Sequence, residues 1–316
     1  MKIAVLIMST EYQPSLRNVE AFKNTVIKNY IDNIGEFKHE YDFWVYTAGN
    51  IKENEFADID DPVNHFYKRV IKEEESVYRT WEKTYKMFCE LISVKGEYDL
   101  YVRINISMWL NLNLLDAVAE RFSDDVVYCN AINSHVNVNS TYVNDIYPRG
   151  DLYIFGNETM RGIIEHGIKY MYCDVALHDR IGVEHVDDCI LGVVLIDIYG
   201  NDYYNHIEEL RYMFIPTDSI YDMDRIDSMS IGFRVKTTPK GMQSGYSWDD
   251  NEYRLKDSAK MVELQEYFNE NKKKYSNIKI RDVVVDDEHE RPTLFVQATN
   301  CSVRNVFKKY LSMKRN

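Results

Sequence analysis

The sequence predicts an α/β fold in which one large, mostly parallel sheet is flanked by helices. Short apolar runs alternate with segments whose apolar residues recur at helical spacing, the pattern of repeated strand–helix–strand units. The first run, Ile3–Met8, is continuously apolar, as expected of a strand covered on both faces. With 316 residues and 45% hydrophobic side chains, the chain can bury a sizeable core.

The predicted elements alternate along the chain. The predicted strands are Ile3–Met8, Phe43–Tyr46, Leu100–Ile104, Val126–Cys129, Leu152–Phe155 and Phe233–Lys236. The predicted helices are 19–34, 77–92, 112–122, Glu158–His166 and Ser258–Tyr267, the last with Asp257 as its N-cap. Residues 130–150 are polar and aromatic and predict a loop, and the apolar segment Cys189–Ile198 fits a helix or a strand.

No repeat, low-complexity tract or Gly/Pro-rich linker divides the chain. The simplest organisation is one domain over residues 1–270, with a C-terminal extension over residues 271–316 that packs on it or trails from it. Lys and Arg are concentrated in this extension. They fit a solvated helix face with a frayed tail, or a surface weakly attracted to an anionic membrane.

Charge and cysteine usage restrict the class of protein. A net charge of −13 argues against a nucleic-acid binder. The five cysteines form no CxxC pair and indicate reduced thiols. Met1–Thr10 lacks a signal-peptide cleavage pattern, and no apolar run is long enough to span a membrane. We therefore expect a protein of the cytoplasm, of a bacterium or of a virus-infected cell, with at most peripheral membrane contact.

Polar residues end the strand at the centre of the pattern. Arg103, Asn105 and Ser107 follow its apolar residues at alternate positions. In an α/β sheet such residues reach the carboxyl edge, where ligands bind. In glycosyltransferases of the GT-A type the matching strand ends in Asp-X-Asp, which holds a metal and a sugar nucleotide. Arg-Ile-Asn-Ile-Ser here resembles a bacterial and viral branch of GT-A-type glycosyltransferases, related to the fringe-like β-1,3-glycosyltransferases, that reads Arg-Thr-Asn-Leu-Ser.

Further segments extend the resemblance to roughly residues 1–270, in the order that the family has them. They are similar to a Lys-Thr pair before the central strand, a glycine-containing acceptor-site segment, a Glu-Asp-Val-X-X-Gly segment and a late Arg-X-Lys element. The matching residues are Trp81–Thr84, Tyr147–Gly150 with Ile154–Gly156, Val186–Gly192, and Phe233–Lys236 followed by Arg254 and Asp257. Their order and spacing carry the resemblance.

The resemblance implies a GT-A-like, Rossmann-like fold and an inverting glycosyltransferase. The donor would be a nucleotide-sugar, a UDP-sugar in particular, and the acceptor a hydroxyl of a glycan or glycolipid. The implied donor-binding residues are Ser9, Thr10, Thr47, Gly49, Lys83, Arg103, Asn105, Ser107, Arg234 and Lys236. Gly150 and Gly156 are the implied acceptor-side residues.

Asp187 and Asp188 are the candidate catalytic pair. An inverting transferase needs a base that removes the proton of the acceptor hydroxyl, and a neighbouring carboxylate can raise the basicity of that base. The family pattern implies Asp188 as the base, with Asp187 shaping the site. The residues alone favour a structural role, in which both cap the start of the segment that follows, where acidic side chains are favourable.

The charges at the Asp-X-Asp position argue against a required metal. Arg103 and Asn105 cannot hold a divalent cation, whereas Arg103, Arg234, Lys236 and Lys83 could neutralise a leaving diphosphate. No cofactor is therefore expected, and Mn²⁺ or Mg²⁺ is not favoured. Alternatively, Arg103 pairs with Asp99, and the late Arg and Lys are exposed on an edge strand.

Two other acidic strings occur in the sequence, and two other functions are compatible with it. Asp58–Asp61 and Asp222–Asp224 fit surface acids, with Asp222 and Asp224 as the fallback metal site. An inactive glycan-binding or scaffold protein of the same fold is one alternative function, because Asp-X-Asp is missing. A sugar nucleotidyltransferase is another, but Ser9–Ser15 lacks the glycines of its usual loop. No P-loop, GxSxG, GxGxxG or HExxH pattern occurs.

Overall fold

A computed structural model describes residues 1–10, 13–48, 58–71, 79–130, 132–138, 141–173, 186–217, 222–236, 251–271, 275 and 277–285. The strands are β1 Lys2–Met8, β2 Glu40–Ala48, β3 Ile59–Asp61, β4 Phe66–Ile71, β5 Leu100–Asn105, β6 Met108–Leu110, β7 Val127–Cys129, β8 Ile132–Val138, β9 Thr141–Pro148, β10 Leu152–Gly156, β11 Ile207–Glu209, β12 Tyr212–Pro216 and β13 Gly232–Lys236. The helices are α1 Gln13–Phe22, α2 Lys28–Asp32, α3 Thr80–Lys95, α4 Leu112–Val118, α5 Asn157–Gly167, α6 Val186–Tyr199, α7 Asn251–Glu270 and α8 Ile280–Val283. A π-helical turn, Lys23–Ile27, joins α1 to α2.

The largest sheet has eight strands in the order β11-β7-β10-β5-β1-β2-β4-β3. The pairs β1–β2, β1–β5, β2–β4 and β7–β11 are parallel. Strand β10 runs antiparallel to both of its neighbours, and β3 runs antiparallel to β4. The predicted α/β architecture with a mixed, mostly parallel sheet is confirmed.

Apolar side chains cover both faces of this sheet, as the sequence of β1 predicts. Ile3, Val5 and Ile7 point into one cluster, which includes apolar residues of α1, α2, α4 and α7. Ala4 and Leu6 point into the other, with residues of α3, α5 and α6. Burial on both faces explains why β1 has a continuous apolar run and no polar alternation.

A second sheet, in the order β12-β13-β6, is joined to the first by the central motif. The chain leaves the large sheet at Asn105, turns through Ile106 and Ser107, and enters the second sheet at Met108. The amide of Val235 donates to the carbonyl of Ser107 at 2.9 Å. This turn therefore brings β13 close to the end of β5.

Most predicted elements are present, with boundaries shifted by a few residues. The apolar segment Cys189–Ile198 is helical, within α6. Residues 130–150 were expected to form a loop, but β8 and β9 pair as an antiparallel hairpin. Helix α7 begins at Asn251, so Asp257 lies within the helix and is not its N-cap. Polar and apolar residues alternate along part of β8, a pattern typical of a strand, although the overall composition of the segment is that of a loop.

The described part of the C-terminal extension packs against the rest of the chain. Val284 bridges Leu210, and the amide of Val285 donates to the carbonyl of Glu209 at 2.8 Å. The Tyr275 hydroxyl donates to the carbonyl of Ser228 at 3.0 Å. The basic segments 272–274 and 307–315 lie outside the described residues.

Among the described cysteines, Cys89, Cys129, Cys173 and Cys189 form no disulfide, and the last three are buried. Among the helices of the described residues, none combines the length and the apolar character needed to cross a bilayer.

Candidate active site

The carboxyl ends of three parallel strands meet at the centre of the large sheet. Met8, the last residue of β1, pairs with Tyr46 on one side and with Asn105 on the other. Beyond these pairs, the amide of Ser9 donates to the carbonyl of Tyr46 at 2.9 Å, and that of Ile106 to Met8 at 3.1 Å. From β1 the chain continues outward to β2 and β4 and then crosses back to β5 on the other side of β1, so the strand order reverses between β1 and β5. Open α/β sheets bind ligands in the crevice at such a point.

Asp188 lies at this edge, in the first turn of α6. It is only 8% exposed, and its Oδ1 accepts a hydrogen bond from the Tyr153 hydroxyl at 3.0 Å. Gly150 permits this arrangement: a Cβ there would lie 2.1 Å from Asp188 Oδ1 and 2.9 Å from the Tyr153 hydroxyl oxygen. The predicted base and one predicted acceptor-side glycine are therefore in contact.

Arg103 is held next to the same tyrosine. It lies directly opposite Tyr153 in the β5–β10 ladder, and its guanidinium carbon is 5.0 Å from the centre of the ring. Arg103 is 2% exposed, so this cation–π contact is largely desolvated. Asp99, proposed as its partner, instead accepts from the amide of Lys2 at 2.6 Å.

Asp151, which directly follows Gly150 in the sequence, contacts two further cationic groups. Its Oδ2 accepts from Arg234 Nη1 and from Asn130 Nδ2 at 3.3 Å, and it forms an ion pair with Arg149, whose Nε is 3.1 Å away. The carboxylate is buried, whereas the side chain of Arg149 is 41% exposed. Two guanidinium groups thus share one buried carboxylate oxygen, and one of them reaches solvent.

Arg234 belongs to the second sheet and is nearly buried, with a side chain that is 12% exposed. Burial lowers the pKa of its guanidinium from the ordinary value, and the charge of Asp151 opposes that change. Asp188 is also among the carboxylates that act on it. Because arginine stays protonated in proteins, Arg234 contributes a full positive charge. β13 is the middle strand of its sheet, so the edge-strand alternative for Arg234 and Lys236 is wrong.

Lys83 adds a cation at the end of β1. Its Nζ donates to the carbonyl of Ser9 at 2.5 Å, and the side chain is buried. The Thr10 hydroxyl donates to Ser15 Oγ at 2.8 Å, at the start of α1. The amide of Asn105 donates to the carbonyl of Asp151 at 3.0 Å, which joins the ends of β5 and β10. Ser9, Thr10 and Lys83 therefore lie at the end of β1, and Asn105 joins the neighbouring end of β5 to Asp151.

Other predicted site residues are not brought into this cluster. Gly156 is at the far end of β10, where it pairs with Leu100 and contacts Asp124. Thr47 is fully buried, and its hydroxyl donates to the carbonyl of Arg69 at 3.5 Å. Lys236 ends β13, two residues beyond Arg234, and is partly exposed. Gly49 and the side chain of Asp187 lie outside the described part of the chain.

The residues at the Asp-X-Asp position do not fit a divalent cation. Arg103 places a positive charge there, and the carboxylates of the cluster are already engaged by Tyr153 and Arg234. Asp222 and Asp224 are not buried, and Asp222 accepts from the amide of Asp224 to cap a short turn. The donor set described at this edge therefore suits an anion better than a cation.

Within the described residues, one group of acidic and histidine side chains has ligand spacing. It consists of Glu40, Asp42 and His65 and lies at the amino end of β2, the opposite edge of the sheet. Asp42 Oδ2 already accepts from the Tyr98 hydroxyl at 2.7 Å, and Lys2 is 3.6 Å away. These contacts give Asp42 a structural role at that edge.

Four residues of the cluster were not predicted: Asn130, Arg149, Asp151 and Tyr153. They surround Gly150, which was predicted, and two of them flank it in the sequence. An Arg-Gly-Asp string directly before an apolar strand is the signal that could have found Arg149 and Asp151. The cluster carries three guanidinium groups and two carboxylates, so it can hold an anion beside one potential base.

Comparison with known proteins adds no assignment. No family model matches this sequence, and no curated protein matches it. The chemistry of the site therefore rests on the geometry of the cluster.

Proposed function

We propose that the protein transfers a sugar from a nucleotide-sugar donor, a UDP-sugar in particular, to a hydroxyl of a glycan or glycolipid. The observation that carries this proposal is that Asp188 accepts a hydrogen bond from Tyr153 at the carboxyl edge of the sheet, with Arg103 packed on the same tyrosine and Arg234 near enough for its charge to interact with that of Asp188. Glycosyl transfer needs a base for the acceptor and positive charge for the leaving diphosphate, and this cluster offers both.

The strand order of the large sheet also supports a GT-A-like fold. The four strands β4, β2, β1 and β5 form a parallel unit whose connections diverge at β1, beside which the cluster lies. A nucleotide bound across the ends of β1 and β5 would lie next to Ser9, Asn105 and Lys83. Its diphosphate would then reach the arginines.

In the reaction, the acceptor oxygen attacks the anomeric carbon as the bond from that carbon to the diphosphate breaks. Asp188 takes the acceptor proton, and the electron pair of the broken bond stays on the diphosphate. Arg103, Arg234 and Lys83 would stabilise the charge that develops there. A single displacement inverts the anomeric centre, so an α-linked donor gives a β-linked product.

Asp188→Asn separates catalysis from structure. Asn keeps the size of the side chain and an oxygen that can accept from the Tyr153 hydroxyl, and position 188 lies inside the first turn of α6 and not at its N-cap, so the melting temperature should change little. Loss of a general base should lower the turnover of the variant, relative to that of the wild-type protein, by roughly a hundredfold or more.

The measurement uses a set of sugar nucleotides in the presence of EDTA. For each donor, sugar transfer to a panel of glycan acceptors and hydrolysis of the donor are both followed. Normal turnover by Asp188→Asn would remove Asp188 from the mechanism and make Asp187 the next candidate. Binding of a sugar nucleotide by the wild type without transfer or hydrolysis would instead favour the non-catalytic alternative, a glycan-binding protein of the same fold.

A further inference from the structure

We propose that Tyr153 is a positioning residue for Asp188, and that its hydroxyl both orients the carboxylate and favours its charged form. This inference rests on the proposed role of Asp188 as base. The Tyr153 hydroxyl donates to Asp188 Oδ1 at 3.0 Å, and both side chains are buried. A buried hydrogen bond of this kind restricts the carboxylate to a narrow range of orientations.

Tyr153 is itself fixed from two sides. Arg103 lies over one face of its ring, with the guanidinium carbon 5.0 Å from the ring centre. Its backbone pairs with Arg103 in β5 and with Cys129 in β7. Gly150 leaves the space in which the hydroxyl and the carboxylate meet. A ring held in this way presents its hydroxyl in one direction, which is what a positioning residue requires.

The surroundings of Asp188 explain why the uncharged hydroxyl of Tyr153 matters for this carboxylate. Two charged or polar groups that act together with Asp188 come from different elements: the hydroxyl of Tyr153 on β10 donates to it, and its charge acts on the guanidinium of Arg234 on β13. Arg149 and Asp151 flank Gly150, whose lack of a side chain leaves room for Asp188 Oδ1. Arg234 is already engaged by Asp151. Tyr153 contacts Asp188 directly, and a hydrogen bond to a carboxylate favours its ionised state.

Tyr153→Phe tests the hydroxyl alone, because Phe keeps the ring under Arg103. Loss of the hydrogen bond that Tyr153 donates removes a contact that favours the carboxylate, so the acid limb of the kcat/KM profile should move to higher pH. The plateau should fall by roughly tenfold as the carboxylate loses its orientation. KM for the donor should be unchanged.

Tyr128→Phe is the matched control. Tyr128 is on β7, next to β10, and its hydroxyl accepts from the amide of Ser123 at 3.2 Å, away from Asp188. The acid limb of the kcat/KM profile of Tyr128→Phe should superpose on that of the wild type. A shift shared by both variants would indicate a general effect of losing a buried hydroxyl and would overturn the inference.

A double-mutant cycle provides a second test that does not depend on the pH profile. In the Asp188→Asn background, Tyr153→Phe should cause little further loss of turnover, because the group that it positions is gone. Additive losses, or an unshifted acid limb in an active Tyr153→Phe, would overturn the role of Tyr153 and leave the proposed function standing. Absence of turnover in the wild type with every sugar nucleotide would overturn the function itself.

Discussion

Glu82 lies in the first turn of α3 with its side chain fully buried, one residue before Lys83. Neither carboxylate oxygen has a hydrogen-bond partner among the described residues. A buried polar group without a partner is costly, and more so when it is charged. Glu82 is therefore a place where the protein gives up stability.

Glu82→Met replaces this carboxylate by an apolar side chain of similar length. We expect the free energy of unfolding to rise by roughly 1–3 kcal/mol, because the desolvation cost of the acid is removed. Thermal or urea denaturation measures it. The exposed Glu120 is the control: Glu120→Met should change stability by less than about 0.5 kcal/mol. A less stable Glu82→Met would mean that Glu82 has a partner outside the described residues.

At the residue scale, the sequence predicted some of the residues that lie together at the candidate site and missed others. Arg103, Gly150, Asp188 and Arg234 were predicted and lie together. Tyr153 was missed, and the position of Gly156 was wrong, for one reason. β10 runs antiparallel to β5, so its beginning and not its end reaches the carboxyl edge. Strand direction depends on pairing across the chain, which local patterns do not report.

At the element scale, the site depends on how closely the turn before β10 approaches the start of α6. Gly150 has no side chain, and this absence lets Asp188 lie against the turn. Strand β13 brings Arg234 from the second sheet, and the turn after β5 sets the distance between the sheets. Three elements that are distant in sequence therefore fix one carboxylate and its neighbouring charges.

Gly150→Ala tests this close approach. The new Cβ would overlap Asp188 Oδ1 at 2.1 Å, so the carboxylate must move away from Tyr153. We expect turnover to fall by on the order of a hundredfold, the scale of a misplacement of about 1 Å at a reacting group. Gly35→Ala is the control, since the position that its new methyl group would take has no neighbouring atom within 4 Å and activity should be unchanged. Steady-state kinetics that are equal for the two variants would contradict the assigned geometry.

The sequence predicted elements well where apolar periodicity is strong and less well elsewhere. β1, β2, β5 and α6 consist of long apolar runs that bury both sheet faces or pack between helices. The segment that forms β8 and β9 is rich in Asn and Ser and has no continuous apolar run, so its composition favoured a loop although the two strands pair as a hairpin. The start of α7 was missed because residues 251–256 are mostly polar and show no apolar face.

At the scale of the whole molecule, the charge of the cluster opposes that of the protein. The chain carries a net charge of −13, yet three arginines meet two carboxylates at the candidate site. A general acidic surface repels anions, so positive charge concentrated at one edge favours an anionic ligand there. The fold class was predictable from the sequence, whereas this local reversal of charge appears only when β5, β10, β13 and α6 are brought together.

Binding of a nucleoside diphosphate in the absence of metal tests the central claim most directly. Titration calorimetry of the wild type with UDP in EDTA should show binding with a Kd below about 1 mM, because the arginines replace the missing cation. Arg234→Gln should weaken it by at least about tenfold, the scale of one charge-assisted hydrogen bond, while the exposed Arg121→Gln should not. No binding of any nucleoside diphosphate or sugar nucleotide, with or without Mn²⁺, or binding that appears only with Mn²⁺, would contradict the claim.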